Sequence, residues 1–149
     1  MSFVYDYPRP MVCVDCIITR SVSHGQEVLL IQRLNEPFQG DWALPGGFIE
    51  MEETLMQSAL RELHEETGLT GIALREFATY GNPGRDPRGR NISIVFWGEW
   101  TPDNIEPRAG DDAKSLKWHS MNNLPKLAFD HSIILVDFQK RQEPTFLQP

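Results

Sequence analysis

The sequence predicts an α/β fold, a mixed β-sheet flanked by helices. Three observations carry this. Short apolar runs recur, chiefly Val28-Leu29-Leu30-Ile31 and Ile92-Ser93-Ile94-Val95-Phe96-Trp97, and runs of that length bounded by turn residues read as strands. Between them, Glu53 to Thr67 places Leu55, Ala59 and Leu63 on one face of a helix, with Gly68 where that helix would close. Later, Asp130 is a good N-cap for a second helix running to about Arg141.

The elements follow in order. A strand near Pro10 to Thr19 leads through the polar turn Ser21-Val22-Ser23-His24-Gly25 into a second strand near Glu27 to Arg33, a hairpin. Pro45-Gly46-Gly47 reads as a tight loop before the first helix. Ile72 to Tyr80 and Ile92 to Trp100 read as strands separated by the loop Gly81 to Arg90. After a connection rich in Pro, Asp and Gly, Ser115 to His119 is a short strand. No repeat, low-complexity tract or linker interrupts this order.

At 149 residues the chain is expected to form one domain, 1–149, and 40% hydrophobic residues suffice for a core. A net charge of −7 opposes nonspecific binding to nucleic acid, which needs broad basic surface. No segment approaches the ~20 consecutive apolar residues of a membrane helix, and Met1 to Asp6 lacks a basic region followed by an apolar one. A cytoplasmic protein without nucleic-acid or membrane partners is therefore expected. Cys13 and Cys16 have C-x-x-C spacing. In a strand, however, residues three apart point to opposite faces, and no second Cys/His pair completes a tetrahedral site. They read as buried thiols.

Chemistry concentrates in the first helix. Glu62, Glu65 and Glu66, at i, i+3 and i+4, project from one face. Like charges at i,i+4 cost about 0.2–0.5 kcal/mol per pair in water, so a hard divalent cation with oxygen ligands, best Mg2+, is the natural compensation. His64, two residues from Glu62, lies off that face and reads as a polar helix residue.

The spacing of Gly47, Glu53, Arg61, Glu62, Leu63, Glu65, Glu66, Gly68 and Leu69 resembles the Nudix box of the Nudix hydrolases at every defining position. The resemblance implies a Nudix-like α/β/α sandwich and Mg2+, with Mn2+ as a substitute. The metal ligands would be Glu62, Glu65 and Glu66 with the backbone carbonyl of Gly46. It further implies that Arg61 orients these carboxylates, that Glu53 serves behind them or at an additional metal, and that Glu65 or Glu66 acts through an activated water. Some relatives take their general base from a later loop, for which Asp111 and Asp112 are the candidates. A homodimer is the family expectation.

A second region narrows the substrate. The loop Gly81 to Arg90 carries three arginines, Arg85, Arg88 and Arg90, in an acidic chain; guanidinium forks suit phosphate oxygens, and a solvated hairpin loop is the competing account. Tyr7-Pro8-Arg9-Pro10, Val14-Asp15, this loop, Leu127-Ala128-Phe129-Asp130-His131, and Pro83 fifteen positions after Gly68 are similar to the bacterial branch that includes ADP-ribose pyrophosphatases. The expected reaction is then hydrolysis of ADP-ribose to AMP and ribose 5-phosphate, with Arg33, Arg85, Arg88 and Arg90 as substrate contacts. Two rivals stand beside it. One is a nucleoside triphosphate or dinucleotide pyrophosphohydrolase. The other is an ADP-ribose or sugar sensor without turnover, disfavoured by the full set of box carboxylates and by a chain that ends soon after the second helix. Trp42, Trp97, Trp100 and Trp118 read as core or sheet-face residues. Phe3, Tyr5 and Tyr7 are better candidates to stack on an adenine, and His131 reads as structural with a substrate contact left open.

Overall fold

The pivot of the structure, a computed structural model describing residues 2–110 and 113–142, is the long strand β1 (Met11–Val22). Toward its C-terminal end it pairs antiparallel with β2 (Gly25–Arg33), from Thr19↔Val28 to Val22↔Gly25. The turn is therefore only Ser23-His24, shorter than the predicted Ser21 to Gly25, because pairing carries the strand through Val22; Gly25 closes it at φ 141°. Nearer the N-terminus β2 has diverged and β4 (Gly46–Phe48) takes its place, with Cys13↔Phe48, Val14↔Gly47 and Asp15↔Gly46 in register. The other edge of β1 runs parallel to β6 (Asn91–Glu99), which pairs antiparallel with β5 (Arg75–Tyr80). On its far edge β2 pairs with β7 (Ala113–Ser120), and on the edge that β1 has left it pairs with β3 (Trp42–Ala43). The mixed sheet thus forks between β2 and β4.

Helices cover both faces, as predicted. Alternation along β1 sends Val14, Cys16 and Ile18 toward α1 (Leu55–Thr67), where they pack with Leu29, Phe96, Ala59 and Leu63. Ile17 points the other way and joins Val28, Leu30 and Val95 beneath Ile134, Leu135 and Phe138 of α2 (His131–Gln142). Each of the Val, Leu, Ile and Phe side chains among them contributes about 1.5–3 kcal/mol when fully buried.

Helix α1 begins later than Glu53. Thr54 caps it: its hydroxyl accepts from the Gln57 amide at 3.1 Å while the Thr54 amide donates to Gln57 Oε1 at 2.9 Å. Gly68 closes it at φ 72°, its amide donating to the His64 carbonyl at 2.8 Å. Arg108 and Gly110 amides then satisfy the carbonyls of Thr67 and Glu66 at 2.8 and 3.0 Å. At α2, Asp130 stands before the first helical residue, but its carboxylate is taken by Arg85. The tryptophans serve the core and sheet faces: Trp42 meets His119 edge-on, Trp97 meets Phe138, and Trp100 leans on Trp118. Both cysteines are buried free thiols, and burial pushes the Cys13 thiol up to about 12.

Candidate active site

Where the sheet forks, a cleft of about 540 Å3, counted to its open mouth, lies between β4, the N-terminus of α2 and the Gly81–Arg90 loop. One side is acidic. Glu66 of α1 turns into it and accepts the Gly46 amide at 2.9 Å. Burial, against that hydrogen bond and with neighbouring Glu62 and Asp15 adding repulsion, pushes its carboxyl up to about 8. Burial also raises Glu62, with Arg61 opposing. A Cβ on Gly47 would lie 2.5 Å from the Glu62 carboxyl carbon, so only glycine lets that carboxylate lie against β4.

Arg61 organises the remaining acids. It donates to Glu53 at 2.7 Å, to Glu62 at 2.8 Å, to Glu65 at 3.3 Å and to the Phe48 carbonyl at 3.1 Å. These contacts, with Ser58 donating at 2.6 Å, hold Glu53 down at about 2. The three carboxylates expected on one helical face are accordingly divided: Glu62 and Glu65 turn to Arg61, and Glu66 turns to Gly46. Among the described residues no three His, Cys, Asp or Glu side chains stand together as a ready metal-binding group. The donors nevertheless suit a hard divalent ion, since two adjacent half-buried carboxylates, Glu62 and Glu66, carry charge that burial disfavours and a cation would offset. Asp111 and Asp112 lie outside the described residues.

The opposite side is basic. Arg33 and Arg88 line the cleft, and both guanidiniums face the Phe129 ring, 4.9 and 5.4 Å from its centroid. Arg33 donates to the Pro37 carbonyl at 2.7 Å; burial, and then Arg88, lower its pKa. Phe129 holds a left-handed φ of 52°, costing on the order of 1–3 kcal/mol for a bulky residue, and packs on Phe38 and His131. Arg85 also lines the cleft, but its fork is spent on Asp130, at 2.7 and 2.9 Å, with the side chain only 3% exposed. Arg90 does not line it and instead donates to the Gly81 carbonyl.

Sequence reasoning passed over much of the floor. Asp15 on β1 accepts from Ser93 Oγ, and its Oδ1 lies 3.7 Å from His131 Nε2. His131 Nδ1 accepts the Leu44 amide at 3.0 Å, which fixes the proton on Nε2, toward Asp15. Asp86 accepts from Arg88 at 2.8 Å and from Asn91 Nδ2 at 2.8 Å. The signal was there: buried strands rarely carry Asp, Asn or Ser at alternate positions unless those side chains face a polar space.

A family model described as NUDIX domain matches residues 9–138, and the chain belongs to that family. It is a Nudix hydrolase by sequence, 47% identical over 136 residues to an ADP-ribose pyrophosphatase of Methanocaldococcus jannaschii, across 90% of this chain and 76% of that protein. It is also 38% identical over 135 residues to the ADPR responsive transcriptional repressor NtrR of Acinetobacter baylyi, across 87% of this chain but only 53% of the repressor. Among solved structures, the NUDIX domain of Shewanella oneidensis NrtR complexed with ADP ribose superposes with a TM-score of 0.84 at 30% identity, across 92% of this chain and 93% of that one. No helix among the described residues is long and apolar enough to cross a membrane.

Proposed function

We propose that the protein hydrolyses the diphosphate of ADP-ribose, giving AMP and ribose 5-phosphate, with Mg2+ as its ion and Mn2+ as a substitute. One observation carries this most: Glu66 faces Arg33 and Arg88 across a single cleft, so carboxylates that attract a cation stand opposite guanidiniums that attract phosphate. The likeness to an ADP-ribose pyrophosphatase supports the choice of substrate.

Glu62, Glu65 and Glu66 would hold the ion with the backbone carbonyl of Gly46, Gly46 and Gly47 letting the backbone come close to it. When bound, a hard divalent ion shields phosphate charge and activates water. The residues of the chain do the rest. Arg61, anchored on Glu53, would orient Glu62 and Glu65 for the ion, and Arg33 and Arg88 would grip the phosphate oxygens. Glu65 or Glu66 takes the proton of the attacking water, with Asp111 or Asp112 as the alternative base. The bond from one phosphorus to the bridging oxygen breaks as the water oxygen adds to that phosphorus.

The likeness to an ADPR responsive repressor favours one other reading, a sensor that binds ADP-ribose without turning it over. A panel of ADP-ribose, other nucleoside diphosphate sugars, dinucleotides and nucleoside triphosphates, scored by product identity with Mg2+ at limiting enzyme, tests the proposal. ADP-ribose should give the highest kcat/KM. A better triphosphate or dinucleotide would move the assignment to that substrate class, and binding without product would favour the sensor.

A further inference from the structure

Two like charges stand together on the basic side of the cleft with no carboxylate that holds both. Arg88 is clamped by Asp86, through Nε at 3.1 Å and Nη2 at 2.8 Å. Arg33 has the Pro37 carbonyl alone, on Nε at 2.7 Å. Among the described residues Arg33 Nη1 and Nη2 and Arg88 Nη1 make no hydrogen bond, so donors remain on both forks. Burial and then the Arg88 charge lower the Arg33 pKa, which marks the repulsion between them. What the two share is a ring: both guanidiniums lie over Phe129, at 4.9 and 5.4 Å from its centroid. Phe48, also in the cleft wall, faces Arg88 alone, at 5.1 Å.

A ring serves here in a way that an acid does not. A carboxylate between the arginines would neutralise them and occupy the donors a phosphate needs. An aromatic face attracts a cation through its quadrupole and takes no N–H. The backbone supports the same reading. Phe129 and Phe38, at φ 52° and 59°, are the two non-glycine residues with positive φ among the described residues, and their rings pack 4.9 Å apart. Glycine or asparagine would occupy such a position at less cost, so a bulky ring kept there points to a task for the ring. Core filling does not account for it fully: Ala128 is buried beside Ile31 and Ala43, whereas Phe129 is only partly buried and lines the cleft. The turn that carries Phe38 also supplies the Pro37 carbonyl that Arg33 grips, so ring and guanidinium are fixed to one frame.

We infer that Phe129 is a positioning residue for the diphosphate: its ring holds Arg33 and Arg88 together, with their remaining N–H groups available to one anion. This rests on the reading of the cleft as a diphosphate site, and its test separates the two. Phe129→Leu, Phe129→Gly and Phe129→Tyr are compared with wild type on ADP-ribose with Mg2+, and melting temperature is followed throughout. Glycine suits the backbone and serves in case leucine does not fold. Leucine and glycine should raise KM about tenfold with kcat within about twofold of wild type, and tyrosine, which keeps the ring, should restore both. When Arg33 and Arg88 are both alanine, Phe129→Leu should lower kcat/KM by less than about twofold further, because the ring then has no cation to hold. A loss that falls equally on kcat, a tenfold loss that persists without the arginines, or no loss at all would overturn the inference and leave Phe129 a packing residue. Inorganic pyrophosphate, titrated calorimetrically without divalent ion, gives a readout independent of the nucleotide. If wild type turns over no ADP-ribose, that reading falls. The role of Phe129 then stands if pyrophosphate affinity drops about tenfold in Phe129→Leu and returns in Phe129→Tyr, and falls as well if it does neither.

Discussion

Arg85 and Asp130, 45 residues apart, meet in a two-pronged ion pair of 2.7 and 2.9 Å that ties the arginine loop to the start of α2. The pair gives Arg85 a different task from its neighbours. With its side chain 3% exposed, it holds the cleft together instead of waiting for an anion.

Breaking that pair should therefore cost stability before it costs binding. Arg85→Ala leaves Asp130 without its partner, and loss of one member of a buried pair costs about 3–5 kcal/mol. The melting temperature should fall by roughly 10 °C. Replacing both residues with apolar ones of similar size should recover much of it. A melting curve of Arg85→Ala overlying wild type would remove this role.

Arg88 and Arg90 should separate cleanly. Arg88→Ala is expected to raise KM for ADP-ribose by roughly tenfold, ~1.4 kcal/mol, with less change in kcat, and lysine should rescue only partly because a point charge does not reproduce a planar fork. Arg90→Ala, which lies off the cleft, should stay within twofold of wild type. Steady-state kinetics on the three variants check both halves.

Burial at Glu62 and Glu66 predicts how the protein answers its ion. Adding Mg2+ should raise the melting temperature of chelator-treated wild type, since a cation offsets charge that burial disfavours. Glu66→Gln should blunt that rise while melting no lower than metal-free wild type, because it removes the carboxylate that is least at ease. Thermal melts with and without Mg2+ read both effects.

His131 should make stability fall in mild acid. Burial lowers its folded pKa below the usual 6.5, with Asp15 opposing, and protonating Nδ1 would also end its bond from the Leu44 amide. A depressed folded pKa means that the unfolded chain takes up the proton first. This contribution is complete above about pH 6.5 and is lost as pH falls toward the folded value, at no more than about 1.4 kcal/mol per pH unit. Denaturant unfolding of wild type against His131→Asn, whose amide oxygen can still accept from Leu44, should show that slope between pH 6.5 and 5 in wild type alone.

The parts of the fold legible in the sequence are those fixed by local rules. Helix α1 follows from its 3.6-residue apolar period and Gly68, and the main strands from their apolar runs. Strands β3 and β4, of two and three residues, have no period to read and exist only because β2 and β1 pair with them. In the cleft, the box marks Glu62, Glu65 and Glu66 alike, and it is burial that sets Glu66 apart. The sequence likewise cannot tell that Arg85 is spent on a residue 45 positions away, or that Asn91 and Asp15 share a floor. Those facts come from the register of β1 with β6 and from the seating of α2.

Binding and turnover compared in one pair of proteins test the roles of Glu66 and ADP-ribose most directly. ADP-ribose is titrated calorimetrically into wild type and Glu66→Gln in the absence of divalent ion, and AMP formation is then followed with Mg2+. Affinities should agree within a few fold, while kcat of the variant falls by at least ~100-fold, since the carboxylate acts on the transition state more than on the bound substrate. Wild type that binds ADP-ribose but forms no AMP, or a variant that turns over at the wild-type rate, would contradict these roles.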